Sequence, residues 1–243
     1  MAPLLTMSRT ALVVSAGGER AVAWHVGVLA GLAEHGVDPR RARRIVGTSA
    51  GALVAARLAR GDDPVLRAAR LAARAGAPDD GALTSPAWPA SLRVVAIDAR
   101  SGGRVAFGPA AGVAPALAVA ASRAVPGLRP AVTIGGRPHV DGALRSATNA
   151  DLAAVGVDRV LVLDANGPGD GPPERVWAAA LDDEVGALEA RGVAVGVIRA
   201  GAADRAAMGA GPTDGSWAAD AVAAGRAAAA RWLAHVAPVA AVA

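Results

Sequence analysis

A serine in a tight, glycine-flanked segment is the first candidate for chemistry in this sequence. Residues 47–51 read GTSAG and fit the pattern G-x-S-x-G, which places a serine on a sharp turn between a strand and a helix. Its hydroxyl then projects from the edge of a sheet, and small residues two positions away on either side avoid a steric clash. We therefore predict Ser49 as a nucleophile, with Gly47 and Gly51 forming the turn. The alternative is a plain glycine turn in which Ser49 caps the following helix.

A second glycine-containing segment, residues 15–20 (SAGGER), follows the first apolar run of the chain. Glycines between a strand and a helix let backbone N–H groups point at an anion. The spacing fits neither G-x-G-x-x-G nor the P-loop, and the chain contains no lysine, which disfavours a nucleotide phosphate. The oxyanion of an acyl-transfer reaction needs only one or two N–H donors near the serine. We expect Gly17 and Gly18 to supply them; a plain glycine turn is the alternative.

A nucleophilic serine needs a proton acceptor, and the sequence offers a histidine or an aspartate. Of the four histidines, only His235 could complete a Ser–Asp–His order, but it lies in an alanine-rich stretch typical of a helix. Asp-Gly occurs four times, and Asp141 differs from the others because a hairpin strand leads into it. The other three pairs, in loops or at a helix cap, begin at Asp80, Asp170 and Asp214. We predict Asp141 as the base, with the histidine triad as the alternative.

Composition and charge exclude several other kinds of function. The chain has 243 residues and a net charge of +4, and all its basic residues are arginines. The densest run of arginines, residues 40–44, has no interleaved aromatic residues, so we expect a solvated surface there and no nucleic-acid partner. The chain has no cysteine, which removes thiol catalysis, thiolate metal sites and disulfides.

Signals for export and for membrane insertion are also missing from the sequence. Residues 1–10 lack a basic start followed by a long apolar run, so they do not form a convincing secretory signal. No stretch approaches the roughly 18 uninterrupted apolar residues of a spanning helix. We therefore expect a cytoplasmic protein. Its core should consist mainly of alanine, valine and leucine, because aromatic residues make up only 2% of the chain.

Apolar runs and helix-like stretches alternate along the chain. Predicted strands lie near residues 11–15, 44–46, 93–98, 104–107, 131–134, 139–140, 159–164 and 193–199. Predicted helices lie near residues 21–35, 50–60, 64–74, 115–123, 174–191 and 215–236, and a capping-box pattern at 148–151 predicts one more. Residues 76–89 and 166–173 are predicted loops. The alternation predicts a mainly parallel sheet with helices on both faces, formed by one domain over residues 1–243.

The glycine loop, the serine turn and the later aspartate resemble, in this order, the motifs of the patatin-like phospholipases. That family combines a glycine-rich oxyanion loop, a G-x-S-x-G elbow and a later Asp-Gly-Gly or Asp-Gly-Ala. The matching residues here are 17–20, 47–51 and 141–143. Flanking segments also match, at residues 27–29, 121–127 and 148–151. The resemblance covers roughly residues 11 to 210.

The resemblance implies a three-layer α/β/α fold with a mainly parallel central sheet, and the activity of a carboxylic-ester hydrolase. In such a protein Asp141 accepts the proton of Ser49 in a Ser–Asp dyad without histidine, and the oxyanion loop corresponds to Gly17, Gly18, Glu19 and Arg20. No cofactor or metal is implied. The substrate would be an acyl ester or a (lyso)phospholipid, with transient contact with a membrane surface left open and the oligomeric state undetermined.

Two departures from the family pattern motivate a second hypothesis. Ala16 and Ala21 replace the outer glycines of the loop, and alanine would be strained there if either position required a positive φ. Only about 30 residues separate the elbow helix from the strand at Arg93, so the segment that forms a lid in similar proteins is short. Both features would also fit a catalytically weak or inactive binding protein on the same scaffold. His139, two residues before Asp141, is expected to face outward from its strand.

Overall fold

The computed structural model describes residues 7–73, 83, 85–167, 171–209 and 217–239. Within these residues the chain forms eight strands and seven α-helices. The strands are β1 (Thr10–Val14), β2 (Arg44–Thr48), β3 (Leu92–Asp98), β4 (Arg104–Phe107), β5 (Val132–Ile134), β6 (Arg137–Asp141), β7 (Arg159–Asp164) and β8 (Ala194–Arg199). The helices are α1 (Gly18–Glu34), α2 (Ala50–Ala59), α3 (Pro64–Ala73), α4 (Pro115–Ser122), α5 (Pro172–Glu189), α6 (Ala202–Ala207) and α7 (Trp217–Val239).

The eight strands belong to one mixed sheet in which the parallel pairs form the centre. The strand order is β5-β6-β3-β2-β1-β7-β8. Strand β4 lies outside this order and pairs with the edge of β3 that does not pair with β2. The five strands from β3 to β8 in that order run parallel, whereas β4, β5 and β6 make antiparallel pairs. Parallel neighbours need crossover connections, and helices such as α1 and α2 supply them. The predicted α/β fold with a mainly parallel sheet between layers of helices is confirmed.

The central strands are buried on both faces of the sheet. Along β1, Leu12 and Val14 belong to a large apolar cluster that includes α1 and α2, as the two-residue period of a strand requires. Ala11 and Val13 point to the other face and join a smaller cluster with α5. Because both faces are covered, these strands appear in the sequence as continuous apolar runs rather than alternating ones.

Glycines let α1 and α7 pack with their backbones in close contact. A Cβ atom at Gly27 would overlap the carbonyl oxygen of Val222, and one at Gly225 would overlap the carbonyl oxygen of Trp24. Trp24 itself is fully buried. Such close approach adds dispersion contacts in a core that has few large side chains.

Two expectations about side chains are wrong, and one helix was missed. Asn149 adopts a left-handed φ of 52° without a side-chain cap, and a short 3₁₀ helix, Ala150–Ala153, follows it. The predicted capping box fails because the Thr148 hydroxyl, which would cap the helix, instead donates to Glu184 Oε2 over 2.6 Å. His139 does not face outward but is 4% exposed, because its ring packs edge-to-face against Phe107. The six-residue helix α6 is absent from the prediction.

Parts of the predicted loops lie outside the described residues. These parts are residues 76–82 and 84 of the first loop and residues 168–170 of the second, and the first six residues of the chain lie outside as well. In the portions of the chain that the structure describes, none of the helices combines the length and apolar character needed to cross a bilayer.

Candidate active site

Ser49 lies on a sharp turn between β2 and α2. Its φ of 54° and ψ of −118° are rare for a residue with a side chain, and such a conformation costs on the order of 1–3 kcal/mol. Gly47 allows the turn, because a Cβ atom there would lie 2.6 Å from the Ala52 Cα atom. Gly51 allows α2 to approach β1, because a Cβ atom there would overlap the Val14 carbonyl oxygen. Both glycines are therefore required by close backbone contacts.

Ser122, at the end of α4, holds the backbone of this turn. The Ser49 N–H group donates to Ser122 Oγ over 2.8 Å, and Ser122 Oγ donates to the Val95 carbonyl oxygen over 2.6 Å. Ser122 is fully buried. The Ser49 amide is therefore already paired within the protein. Sequence reasoning did not single out Ser122, although the residue lies in the segment 121–127 that resembles the family.

The register of β3 brings Asp141 to the end of β2. Thr48 pairs with Val95, and Asp141 pairs with the next residue, Ala96. At Val95 and Ala96 the other edge of β3 is occupied by β4. Strands β2 and β6 therefore pair with the same edge of β3, and the end of one meets the end of the other. Asp141, the last residue of β6, and Ser49, the residue after β2, are consequently placed side by side.

The two side chains are joined by a short hydrogen bond. Ser49 Oγ donates to Asp141 Oδ2 over 2.6 Å. The other carboxylate oxygen, Oδ1, accepts from the Ala143 N–H group over 2.8 Å, which fixes the carboxylate in orientation. Ser49 is 8% exposed and Asp141 is 2% exposed. Gly142 makes room for this arrangement, since a Cβ atom there would lie 2.6 Å from the Val95 carbonyl oxygen.

The surroundings of Asp141 shift its proton affinity. Burial raises the pKa of Asp141 above its usual 3.8, because the charged form loses hydration. The hydrogen bonds from Ser49 and from the Ala143 amide, and the positive charge of Arg123, oppose this rise. Arg123 also forms an ion pair with Glu19, in the first turn of α1. The glycine loop and the carboxylate are therefore electrostatically connected through one arginine.

The glycine loop has the backbone conformation that only glycine adopts easily. Gly17 has a φ of 149° and Gly18 a φ of 72°, whereas neither Ala16 nor Ala21 has a positive φ. A Cβ atom at Gly17 would lie 2.6 Å from the Cβ atom of Ala21. The two alanines that depart from the family pattern therefore cause no backbone strain.

The amides of Gly17 and Gly18 are available at the start of α1. Gly17 is the N-cap of α1 and Gly18 its first residue, and neither amide donates a hydrogen bond to another of the described residues. The preceding turn lies against the elbow, since the Ser15 carbonyl oxygen is 2.5 Å from where a Gly51 Cβ atom would be. Free N–H groups and the positive end of a helix favour an anion at this position.

The remaining loop residues, Glu19 and Arg20, hold the start of α1 in place. Glu19 pairs with Arg123, as described above, and Arg20 donates to the carbonyl oxygen of Gly209, after α6. A cavity of about 240 Å³ lies beside the loop, lined by Gly17 and Arg20 and by residues after β7 that include Asn166. Its lining does not include Ser49 or Asp141.

The histidines do not replace Asp141 as the partner of the Ser49 hydroxyl. His235 is exposed on α7, whereas the Ser49 hydroxyl donates to Asp141. His25 is buried within α1, where its Nε2 atom lies 3.3 Å from Ser15 Oγ. The three other aspartates of Asp-Gly pairs all lie outside the described residues; they are Asp80, Asp170 and Asp214.

A buried polar network supports the end of β2 from the other side. The Asn149 side-chain amide donates to Thr48 Oγ1, and Thr48 Oγ1 donates to the Thr148 carbonyl oxygen over 3.4 Å. Thr148 Oγ1 in turn donates to Glu184 Oε2 over 2.6 Å. Burial raises the pKa of Glu184 above its usual value. The left-handed backbone at Asn149 thus serves to position a residue that immediately precedes Ser49.

No metal centre competes with this arrangement in the described part of the chain, where no group of three or more His, Asp or Glu side chains could hold an ion. A hydroxyl that donates to a buried carboxylate, beside unpaired backbone amides, can perform nucleophilic acyl transfer.

A search of curated proteins by sequence gave no match.

One family model matches the chain, over residues 12–75, and its description is patatin-like phospholipase. The matched stretch runs from β1 to the end of α3 and contains both the glycine loop and the Ser49 elbow. It ends before β3, so Asp141 lies outside it. This match supports the assignment of the chain to the patatin-like phospholipase family.

Proposed function

We propose that the chain, as one domain over residues 1–243, is a serine hydrolase of carboxylic acyl esters that uses a Ser49–Asp141 dyad. The observation that carries the proposal is the 2.6 Å hydrogen bond from Ser49 Oγ to Asp141 Oδ2, on a strained strand-to-helix turn. The family match supports a lipid acyl hydrolase in broad terms. The identity of the dyad rests on this geometry.

In the first step, Asp141 accepts the proton of Ser49 while the serine oxygen attacks the ester carbonyl carbon. An aspartate with the usual pKa is a weak base for a hydroxyl. Burial raises the pKa of Asp141 and so brings its basicity closer to what the step requires. The alcohol leaves with the proton returned by Asp141, and an acyl-enzyme forms on Ser49.

The negative charge on the carbonyl oxygen is stabilised by the amides of Gly17 and Gly18. Both amides lack partners among the described residues, whereas the Ser49 amide is taken by Ser122. The positive ends of α1 and α2 add to the stabilisation. Donors of this kind are each worth about 3–4 kcal/mol of transition-state energy. Water activated by Asp141 then attacks the acyl-enzyme and releases the acid.

The substrate class is an acyl ester, with a (lyso)phospholipid as the lipid form. The dyad is followed directly by an exposed apolar side chain, Leu144, which is 58% exposed although it is three residues after Asp141. Burial of this side chain against an acyl chain would remove apolar surface from water, so we expect activity on esters with medium acyl chains as well as short ones.

A covalent probe tests the nucleophile most directly. A fluorophosphonate probe should label the wild type and should not label Ser49→Ala. Labelling should be normal in Ser101→Ala, a matched control in which an exposed serine of the β3–β4 turn is removed. Labelling that survives in Ser49→Ala would contradict the proposal.

Ester turnover tests the base. With p-nitrophenyl esters of increasing chain length, Asp141→Asn should lose about a thousandfold or more in kcat/KM, while His235→Ala should retain activity. Loss of activity in His235→Ala would instead support a histidine triad. Absence of serine-dependent turnover in the wild type would support a binding protein on the same scaffold.

A further inference from the structure

An arginine-lined cavity lies at the end of the sheet opposite to Ser49. Its volume is about 660 Å³, and four arginines line it: Arg41, Arg43, Arg44 and Arg93. Arg44 begins β2, and Arg93 is the second residue of β3. Because Ser49 follows the other end of β2, the cavity is separated from the candidate active site by the length of the strand. The proposed ester hydrolysis makes no use of it.

The lining carries four positive charges and no negative one among the described residues. The carboxylates nearest in sequence to these arginines are bound by other arginines. Asp38, the nearest to Arg41, Arg43 and Arg44, pairs with Arg40, and Asp98, the nearest to Arg93, pairs with Arg137. The cavity is therefore a local excess of positive charge in a chain whose net charge is only +4.

Two of the guanidinium groups are fixed to the cavity wall by backbone oxygens. Arg93 Nη1 donates to the carbonyl oxygens of Ala90 and Leu92, over 3.0 and 2.7 Å. Arg43 Nε donates to the carbonyl oxygen of Gly156 over 3.2 Å. A guanidinium has five N–H donors, so each of these groups retains donors for a ligand. Their orientation is already set before any ligand binds.

The other two guanidinium groups, those of Arg41 and Arg44, donate to no atom of the described residues. Arg44 is half-buried, and its burial together with the positive charges of Arg93 and Arg43 lowers its pKa. Charges of the same sign held close together in a partly enclosed space repel one another. A bound anion would remove this repulsion and use the free donors at the same time.

The shape and chemistry of the cavity narrow the class of anion. Its volume falls in the range of small-molecule sites, and planar guanidinium groups match phosphate oxygens in paired hydrogen bonds. No aromatic side chain lines it among the described residues, so nothing is present to stack a nucleobase. We propose that this cavity binds an anion with two or more linked or neighbouring phosphate groups, through Arg41, Arg43, Arg44 and Arg93.

Calorimetric titration tests the proposal with inorganic tripolyphosphate as the probe, in a buffer free of phosphate and sulfate and near physiological ionic strength. The wild type should bind tripolyphosphate about tenfold or more tightly than inorganic monophosphate. The double variant Arg41→Gln/Arg44→Gln should weaken tripolyphosphate binding by about tenfold or more. Both replaced side chains lack hydrogen bonds to described residues, and circular dichroism confirms that the variant is folded.

The matched control is Arg100→Gln/Arg129→Gln, which removes two exposed arginines that do not line the cavity. It should bind tripolyphosphate like the wild type. Equal weakening in both double variants would show nonspecific attraction to positive charge and would overturn the proposal, as would the absence of saturable binding in the wild type.

A flotation experiment distinguishes the source of the phosphates. Phosphatidylcholine vesicles with and without phosphatidylinositol bisphosphate are compared, with tripolyphosphate as competitor. Recruitment only to the bisphosphate vesicles, lost in Arg41→Gln/Arg44→Gln, would support the site and identify a lipid headgroup. Binding of tripolyphosphate without recruitment would support the site and identify a soluble ligand. Recruitment that tripolyphosphate does not compete away would contradict it.

Discussion

Thr48 and Asp141 pair with consecutive residues on one edge of β3. Thr48 lies opposite Val95 and Asp141 opposite Ala96, so the ends of β2 and β6 meet at that edge. The distance between Ser49 and the carboxylate is therefore set by backbone hydrogen bonds in the sheet rather than by a flexible loop. Groups positioned on regular elements are held more firmly than groups on loops, which suits a dyad that must keep its geometry.

Removal of the Ser122 hydroxyl should impair both the turn and the activity. Ser122→Ala leaves the Ser49 amide and the Val95 carbonyl oxygen without their present partner, which costs about 1–3 kcal/mol of unfolding free energy. We expect kcat/KM to fall by about tenfold to a hundredfold, because Ser49 is displaced from Asp141. Urea denaturation and p-nitrophenyl ester turnover measure the two effects.

Ser146→Ala serves as its control, because Ser146 is also buried and accepts from two amides but reaches the turn only indirectly, through Asn149 and Thr48. It should lose a similar amount of stability with a much smaller change in kcat/KM. Equal changes in activity in the two variants would show that Ser122 has no particular role at the turn.

Two glycine-to-alanine substitutions on helices should have opposite effects. Gly51→Ala places a Cβ atom onto the carbonyl oxygens of Val14 and Ser15, so we expect destabilisation by about 3 kcal/mol or more and loss of activity. Gly186→Ala, in α5, meets no atom within 4 Å and should stabilise the protein by about 0.5–1 kcal/mol through helix propensity. Thermal denaturation compares them; a tolerated Gly51→Ala would contradict the close contact between α2 and β1.

The acidic limb of the pH–activity profile, where kcat/KM falls as pH falls, should shift when Arg123 is replaced. Asp141 acts as a base only when ionised, so activity falls as pH falls through its raised pKa. The positive charge of Arg123 lowers that pKa, and Arg123→Gln removes this charge and leaves Glu19 unpaired. The pKa of Asp141 then rises further, and the limb shifts to higher pH. Measurement of kcat/KM from about pH 4 to pH 8 shows the shift.

Arg129→Gln, at an exposed site, should leave that limb where it is. A limb that stays in place in Arg123→Gln, or moves to lower pH, would mean that Asp141 is not the titrating base.

Acid should destabilise the protein through His25. Complete burial lowers the pKa of His25 from 6.5 to about 3, so the folded protein keeps this ring neutral while the unfolded chain takes up a proton below 6.5. The unfolding free energy should therefore fall by about 1.4 kcal/mol per pH unit from this group as pH drops from 6.5 towards 3. Urea denaturation of wild type and His25→Gln at several pH values should show a shallower dependence in the variant. His235→Gln, at an exposed position, should keep the wild-type slope.

Restoring the family's outer glycines should not raise activity. Neither Ala16 nor Ala21 has a positive φ, so Ala16→Gly and Ala21→Gly relieve no strain. We expect kcat/KM within about twofold of the wild type, and a loss of about 0.5–1 kcal/mol of stability in Ala21→Gly, which lies in α1. A large gain in kcat/KM in either variant would show that the alanines limit the oxyanion loop.

Local patterns in the sequence were sufficient to predict the strands and helices and the residues that form the turns. Strands and helix ends depend mainly on neighbours within a few residues. The apolar runs at β1, β2 and β7 therefore predict strands correctly, and the glycines at helix ends predict where helices begin or end. The same holds for Gly17 and Gly18, which take the positive φ values of the loop, and for the turn at Ser49. The outward-facing His139 and the capping box at Thr148 were mispredicted, because these side chains contact Phe107 and Glu184, which belong to distant segments.

By itself, the amino-acid sequence determined the elements, the glycine positions and a serine suited to nucleophilic chemistry. The sequence also pointed to Asp141 as the base, but only the tertiary structure decided the contacts around that serine. Asp141 lies at its hydroxyl, Ser122 at its amide, and Arg123 between the carboxylate and Glu19. The physical reason is that these contacts follow from the register of strands that are far apart in the chain. Such pairing depends on the packing of the whole sheet and leaves no signal in the spacing of neighbouring residues.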